Sequence, residues 1–167
     1  MMKKRFIYCV FMFAVLAVQI AVVPAFFHGQ VVPSALFMLV LAWSLVDGFI
    51  PFLFWAIGFG IAADALSASP IGSHVVMFAI LSYAASFLSR RFLSGGFAFM
   101  AFLIFCTTLA VRVLRMVILL EGGASFKIAS GIFLEPGAIL LETVANMIIF
   151  SILLFAIKRI KKFFWIE

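Results

Sequence analysis

Apolar residues run through this chain in six stretches, divided by five short polar breaks: "HGQ" at 28–30, "VDG" at 46–48, "SASP" at 67–70, "SRR" at 89–91 and "EGG" at 121–123. The stretches predict helices over 6–27, 32–46, 49–66, 72–89, 96–120 and 137–157. About 20 apolar residues in helical form cross a hydrocarbon core of about 30 Å, so each stretch reads as a membrane span. The second is short, and Pro33 falls in its first turn, where proline is tolerated. It reads as a tilted span, a partly re-entrant one, or one fused with the third across Asp47–Gly48. The longest connection, after the fifth stretch, carries Phe126, Ala129, Ile132 and Phe133 at helical spacing. It reads as a short interfacial helix or as a loop covering helix ends.

Composition agrees with the pattern. Of 167 residues, 68% are hydrophobic and 11% charged, and the mean hydropathy is +1.36. Soluble domains carry roughly 25% charged residues and could not hide so much apolar surface. The predicted class is an all-α, polytopic membrane helical bundle forming a single integral domain over 1–167. The N-terminus, "MMKKRFIYCVFMFAVLAVQIAVVPA", has the basic start and apolar core of a signal peptide. Its apolar run from Phe6 to Phe27 is of spanning length, so it is read as a retained first helix.

Lysine and arginine number 12 against 6 acids. Nine of the twelve sit in three clusters: Lys3, Lys4 and Arg5; Arg90 and Arg91; Lys158, Arg159, Lys161 and Lys162. Cationic clusters flank spans on the cytoplasmic side. Six spans with both termini inside put all three clusters there, whereas five spans would strand one outside. With no polar surface to carry it, nucleic-acid binding is excluded as the reading of the positive charge. Cys9 and Cys106 lie inside apolar runs and read as small hydrophobes. No metal-ligand spacing, nucleophile motif or phosphate loop is present, and no cofactor is implied. His28 and His74 read as hydrogen-bonded residues at external helix ends.

Four charges fall within predicted spans: Asp64, Arg112, Arg115 and Glu142. Each costs roughly 2.5–3.5 kcal/mol at a bilayer centre. In the six-span topology all four lie toward the outer face. Arg112 and Arg115 share a helix face at i,i+3, and Glu142 and Asn146 share another at i,i+4. These five residues predict a polar knot joining the third, fifth and sixth spans. The competing reading has the arginines snorkelling to phospholipid phosphates and the acids facing water. In the third span Ala56, Gly60 and Asp64 recur every four residues, as do Gly58 and Ala62. Such small-residue faces let helix backbones approach, so the third span is predicted to be central. Pro70 and Gly72 turn the chain into the fourth.

These features resemble the bacterial rod-shape-determining MreD family. The carrying residues are Pro33 opening the second span, "GFGIAAD" with Gly58, Gly60 and Asp64, the "SPIG" turn with Pro70, Ile71 and Gly72, Tyr83 before "SRR", and Asn146 ahead of a basic tail. The glycine spacing departs from a four-residue repeat; the aspartate and the turn match better. The resemblance implies a non-enzymatic inner-membrane scaffold of the elongation machinery. It would bind the bitopic protein MreC and connect MreB to the peptidoglycan glycosyltransferase and transpeptidase pair. A second resemblance is to the substrate-binding subunits of energy-coupling-factor vitamin transporters, whose docking motif Ala17 and Ala21 would supply and whose pocket the intramembrane charges would line. Co-purification of MreC, as against bound vitamin, separates the two.

Overall fold

The computed structural model describes residues 2–26, 31–66, 72–91, 96–121, 123, 125, 126, 131 and 135–163. It is all-α. Helix α1 covers Met2–Ala17 and continues through a π-turn, Val18–Val22, to Phe26. The others are α2 (Ala35–Asp47), α3 (Phe49–Leu66), α4 (Ser73–Arg91), α5 (Gly96–Glu121) and α6 (Pro136–Phe163). An apolar chain in lipid must satisfy its backbone within each segment, which favours helices. Three helices are long and apolar enough to cross a membrane: Phe49–Leu66, Gly96–Leu120 and Pro136–Phe163. Three shorter apolar stretches accompany them: Tyr8–Val22, Ala35–Asp47 and Ser73–Leu88. The connection predicted to hold an interfacial helix lies largely outside the described residues, as do His28 and Pro70.

The centre of the bundle is α2, not the expected third span. Every residue from Ala35 to Ser44 is buried, and α2 packs against α1, α3, α4, α5 and α6. Its 13 residues make a rod of about 20 Å at 1.5 Å per residue. A helix wrapped by protein need not match the bilayer, because its ends can be met by side chains. It is not fused with α3. Gly48 ends it at φ +83°, a left-handed conformation that glycine adopts without strain, and the Gly48 N–H returns to the Ser44 carbonyl at 2.9 Å. Around α2 the core is aromatic: Trp43 lies 4.4 Å from the ring of Tyr8 and 6.3 Å from Phe52, and Phe37 lies 5.0 Å from Phe78.

The small-residue stripe on α3 divides. Ala56 and Gly60 are buried. A Cβ at Gly60 would fall 2.5 Å from the Val75 Cα of α4, so hydrogen at this position sets how closely α3 and α4 approach. Gly58 meets nothing within 4 Å and lies on the exposed side with Phe54, Ile57 and Ile61, while Ala62 is half-buried.

Two contacts orient the elements. Tyr8 near the start of α1 and Lys161 near the end of α6 both donate to Asp47 at the end of α2. The Ser86 hydroxyl, late in α4, donates to the Ser44 carbonyl at 3.4 Å. The start of α1 and the ends of α2, α4 and α6 therefore share one end of the bundle. Three of them, the start of α1 and the ends of α4 and α6, carry the three basic clusters.

Candidate functional site

At the opposite end the chain reaches α2 through Val32, Pro33 and Ser34, a non-helical stretch. The Ser34 carbonyl accepts from the Met38 N–H at 3.0 Å, but the Val32 and Pro33 carbonyls and the Ser34 N–H precede the helix, and in apolar surroundings each unpaired group is costly. Side chains from three other helices meet them. Arg115 donates from Nη1 to the Val32 carbonyl at 2.9 Å and from Nη2 to Ser34 Oγ at 2.7 Å. Gln19, carried on the π-turn, donates to the Pro33 carbonyl at 3.2 Å. The Ser34 N–H donates to Asn146 Oδ1 at 2.9 Å. The Asn146 amide in turn donates to Thr108 Oγ1 at 3.0 Å.

Glu142 supplies the countercharge. Arg112 Nε donates to its Oε2 at 2.7 Å and Arg115 Nη1 to its Oε1 at 3.3 Å. Arg112, Glu142 and Asn146 have no exposed surface, and the Arg115 side chain retains 26%. The helical spacings explain the fit. Thr108, Arg112 and Arg115 project from one side of α5, and Glu142 and Asn146 lie one turn apart on α6. Buried charge is tolerated where it is paired and further hydrogen-bonded, and here every contact also ties two elements together.

Arg112, Arg115, Glu142 and Asn146 thus meet in one cluster, and it joins α5 and α6 to the entry of α2 where the sequence pointed to the third span. The bonds of Asp64 run elsewhere. It accepts from the Gly72 N–H at 2.7 Å, from the His74 N–H at 3.0 Å and from His74 Nδ1 at 2.7 Å. A carboxylate at a helix N-terminus meets unpaired N–H groups and the positive end of the dipole. Asp64 therefore caps α4 from the end of α3, and Gly72, at φ +100°, makes the turn between them.

Sequence reasoning missed a second cluster, at the other end of α2. Asp47 accepts from the Tyr8 hydroxyl, from Trp43 Nε1 at 3.0 Å and from Lys161 Nζ. In the sequence Asp47 reads as a polar break and Lys161 as part of a basic tail. The signal available was tyrosine and tryptophan near the same predicted membrane face. Among the described residues no group of three or more His, Cys, Asp or Glu could hold a metal ion. The two clusters offer hydrogen bonding and charge neutralisation that fix helices at both ends of α2.

The model of one family, described as rod shape-determining protein MreD, matches residues 2–160. The chain belongs to the MreD family. No curated protein and no solved structure matches it. Membership supports a role in determining rod shape and, with the three long apolar helices, makes the chain a membrane protein. The MreD match covers the six helices described except the last residues of α6, so both polar clusters lie within it or, at Lys161, one residue beyond.

Proposed function

We propose that this chain is a lipid-embedded scaffold of the bacterial cell-elongation machinery, spanning the inner membrane six times with both termini in the cytoplasm. It binds an MreC-like bitopic protein, and through it MreB and the peptidoglycan glycosyltransferase and transpeptidase pair. The observation that carries the reading is the family match across residues 2–160. The orientation is supported by the shared end of the bundle that holds the three basic clusters, since such clusters stay on the cytoplasmic side.

The polar cluster of Arg112, Arg115, Glu142 and Asn146 serves this function by rigidity, with Asp64 and Gly72 holding α3 to α4. The partner-facing surface is the outward side of α3 around Gly58, where Phe54 is 83% exposed and Ile61 55%. Ala56 and Gly60 build the scaffold behind it, and Ala62 borders it. In the same reading, phospholipid covers the remaining apolar surface.

Photo-crosslinking residues placed at Phe54 and Ile61 in living cells test the contact. Adducts with the bitopic partner are expected there and not at buried Ala63. If the partner co-purifies without adducts, the α3 surface is wrong. If a vitamin-sized ligand co-purifies and the partner does not, the transporter-subunit reading replaces the scaffold.

A further inference from the structure

The last two turns of α6 sort their cations into two groups. Lys161 turns inward to Asp47. Lys158, Arg159 and Lys162 are exposed, and among the described residues none of the three has a carboxylate partner. They line an open cleft of about 850 Å³ with Phe155 and Phe163. Those rings are 64% and 76% exposed, and the Arg159 guanidinium lies 6.0 Å from the centroid of Phe155. At 1.5 Å per residue the two rings stand about 12 Å apart along the helix, with the cations between them.

We propose that this surface binds an anionic phospholipid of the surrounding bilayer. The complementarity is of charge and of polarity. A phosphodiester anion meets Lys158, Arg159 and Lys162, while Phe155, one turn toward the centre of α6, lies along the glycerol and acyl region. Phe163 borders the site on the outer side. Clustered cations just beyond a membrane helix attract anionic lipid, and each contributes roughly a fivefold preference. A topology signal alone would require only that positive charge be present near the span. It would not require three exposed cations, without a carboxylate partner among the described residues, on one surface between two exposed rings. The proposal does not depend on the scaffold function.

The test is lipid retention by the full-length protein. Wild type is reconstituted in nanodiscs of phosphatidylcholine containing a minor fraction of phosphatidylglycerol, re-extracted, and its bound lipid quantified by native mass spectrometry. Wild type is expected to hold phosphatidylglycerol several-fold above its bulk fraction. The triple variant Lys158→Gln, Arg159→Gln, Lys162→Gln is expected to fall to the bulk fraction, and the charge-keeping exchange Lys158→Arg, Arg159→Lys, Lys162→Arg to retain the enrichment. Lys161→Gln, which removes a cation from the same turns but not from this surface, is expected to leave it unchanged. Equal retention by the triple variant would overturn the proposal. So would an equal loss in Lys161→Gln, because net charge and not the surface would then govern binding. All variants are compared by their melting in detergent, so a misfolded one is recognised.

Discussion

The two ends of α2 solve one problem by different means. A helix of 13 residues, buried from Ala35 to Ser44, leaves backbone and side-chain polar groups in need of partners inside the bundle at both ends. At its entry the groups needing partners are backbone, the Val32 and Pro33 carbonyls and the Ser34 N–H, and the partners are Arg115, which shares the Glu142 carboxylate with Arg112, and the neutral amides of Gln19 and Asn146. At its exit the backbone is closed by a left-handed glycine, and what needs partners is the Asp47 side chain, which receives three donors. The entry uses side chains that reach across helices because its backbone is irregular, and one of them, Arg115, brings a charge that Glu142 balances. The exit needs no such reach, because its one carboxylate takes its three donors directly. The ends should therefore differ sharply in what a single substitution costs.

The largest effect is expected at Glu142. Glu142→Leu leaves Arg112 and Arg115 without their shared carboxylate, and breaking a buried pair in this way costs about 3–5 kcal/mol. A steep fall in thermal melting and in steady-state membrane level is the expected readout. The triple variant Arg112→Leu, Glu142→Leu, Arg115→Leu sharpens the point. Buried ion clusters can often be replaced by apolar side chains at little cost, but here Val32 and Ser34 would lose Arg115. Stability is expected to stay well below wild type. Full recovery would mean that the ions do not serve the backbone of the entry. Asn146→Leu is expected to cost less, about 1–3 kcal/mol, because it leaves the buried Ser34 N–H without its acceptor. Melting of the purified protein decides between this and a neutral outcome.

What could be read from the sequence follows the same division. Charges inside long apolar runs stand out, so Arg112, Arg115, Glu142 and Asn146 were visible, and the i,i+3 and i,i+4 spacings said which pairs share a face. Their destination was not visible. Side-chain spacing on α5 and α6 does not reveal that the groups needing donors are the backbone of 32–34, since a carbonyl carries no sequence signature. Asp64 was equally conspicuous but local, satisfied within ten residues by Gly72 and His74. Asp47 and Lys161 sit at the margins of apolar runs, where a charge is ordinarily solvated, so turning inward leaves no trace in the pattern. The central position of α2 was hidden for a related reason. Helices buried all round and helices facing lipid are equally apolar, and small residues marked α3 as closely packed against α4 without making it central.

At the exit the expected costs are smaller, and they fall in order. Asp47→Asn keeps an acceptor for Tyr8 and Trp43 but removes the charge that holds Lys161, for about 1–1.5 kcal/mol, the scale of one net hydrogen bond. Lys161→Gln is expected to cost less still, at most about 1 kcal/mol, since a partly exposed ion pair contributes little and two neutral donors still reach the carboxylate. Melting measured at low and high salt separates the ends most cleanly. The small loss in Lys161→Gln should shrink as salt screens the wild-type pair, whereas most of the loss in Glu142→Leu should hold, because the Arg112–Glu142 pair is sealed from solvent and only Arg115 is partly exposed. A salt-independent loss of several kcal/mol in Lys161→Gln would make the exit a buried ionic lock like the entry, and the contrast between the two ends of α2 would collapse.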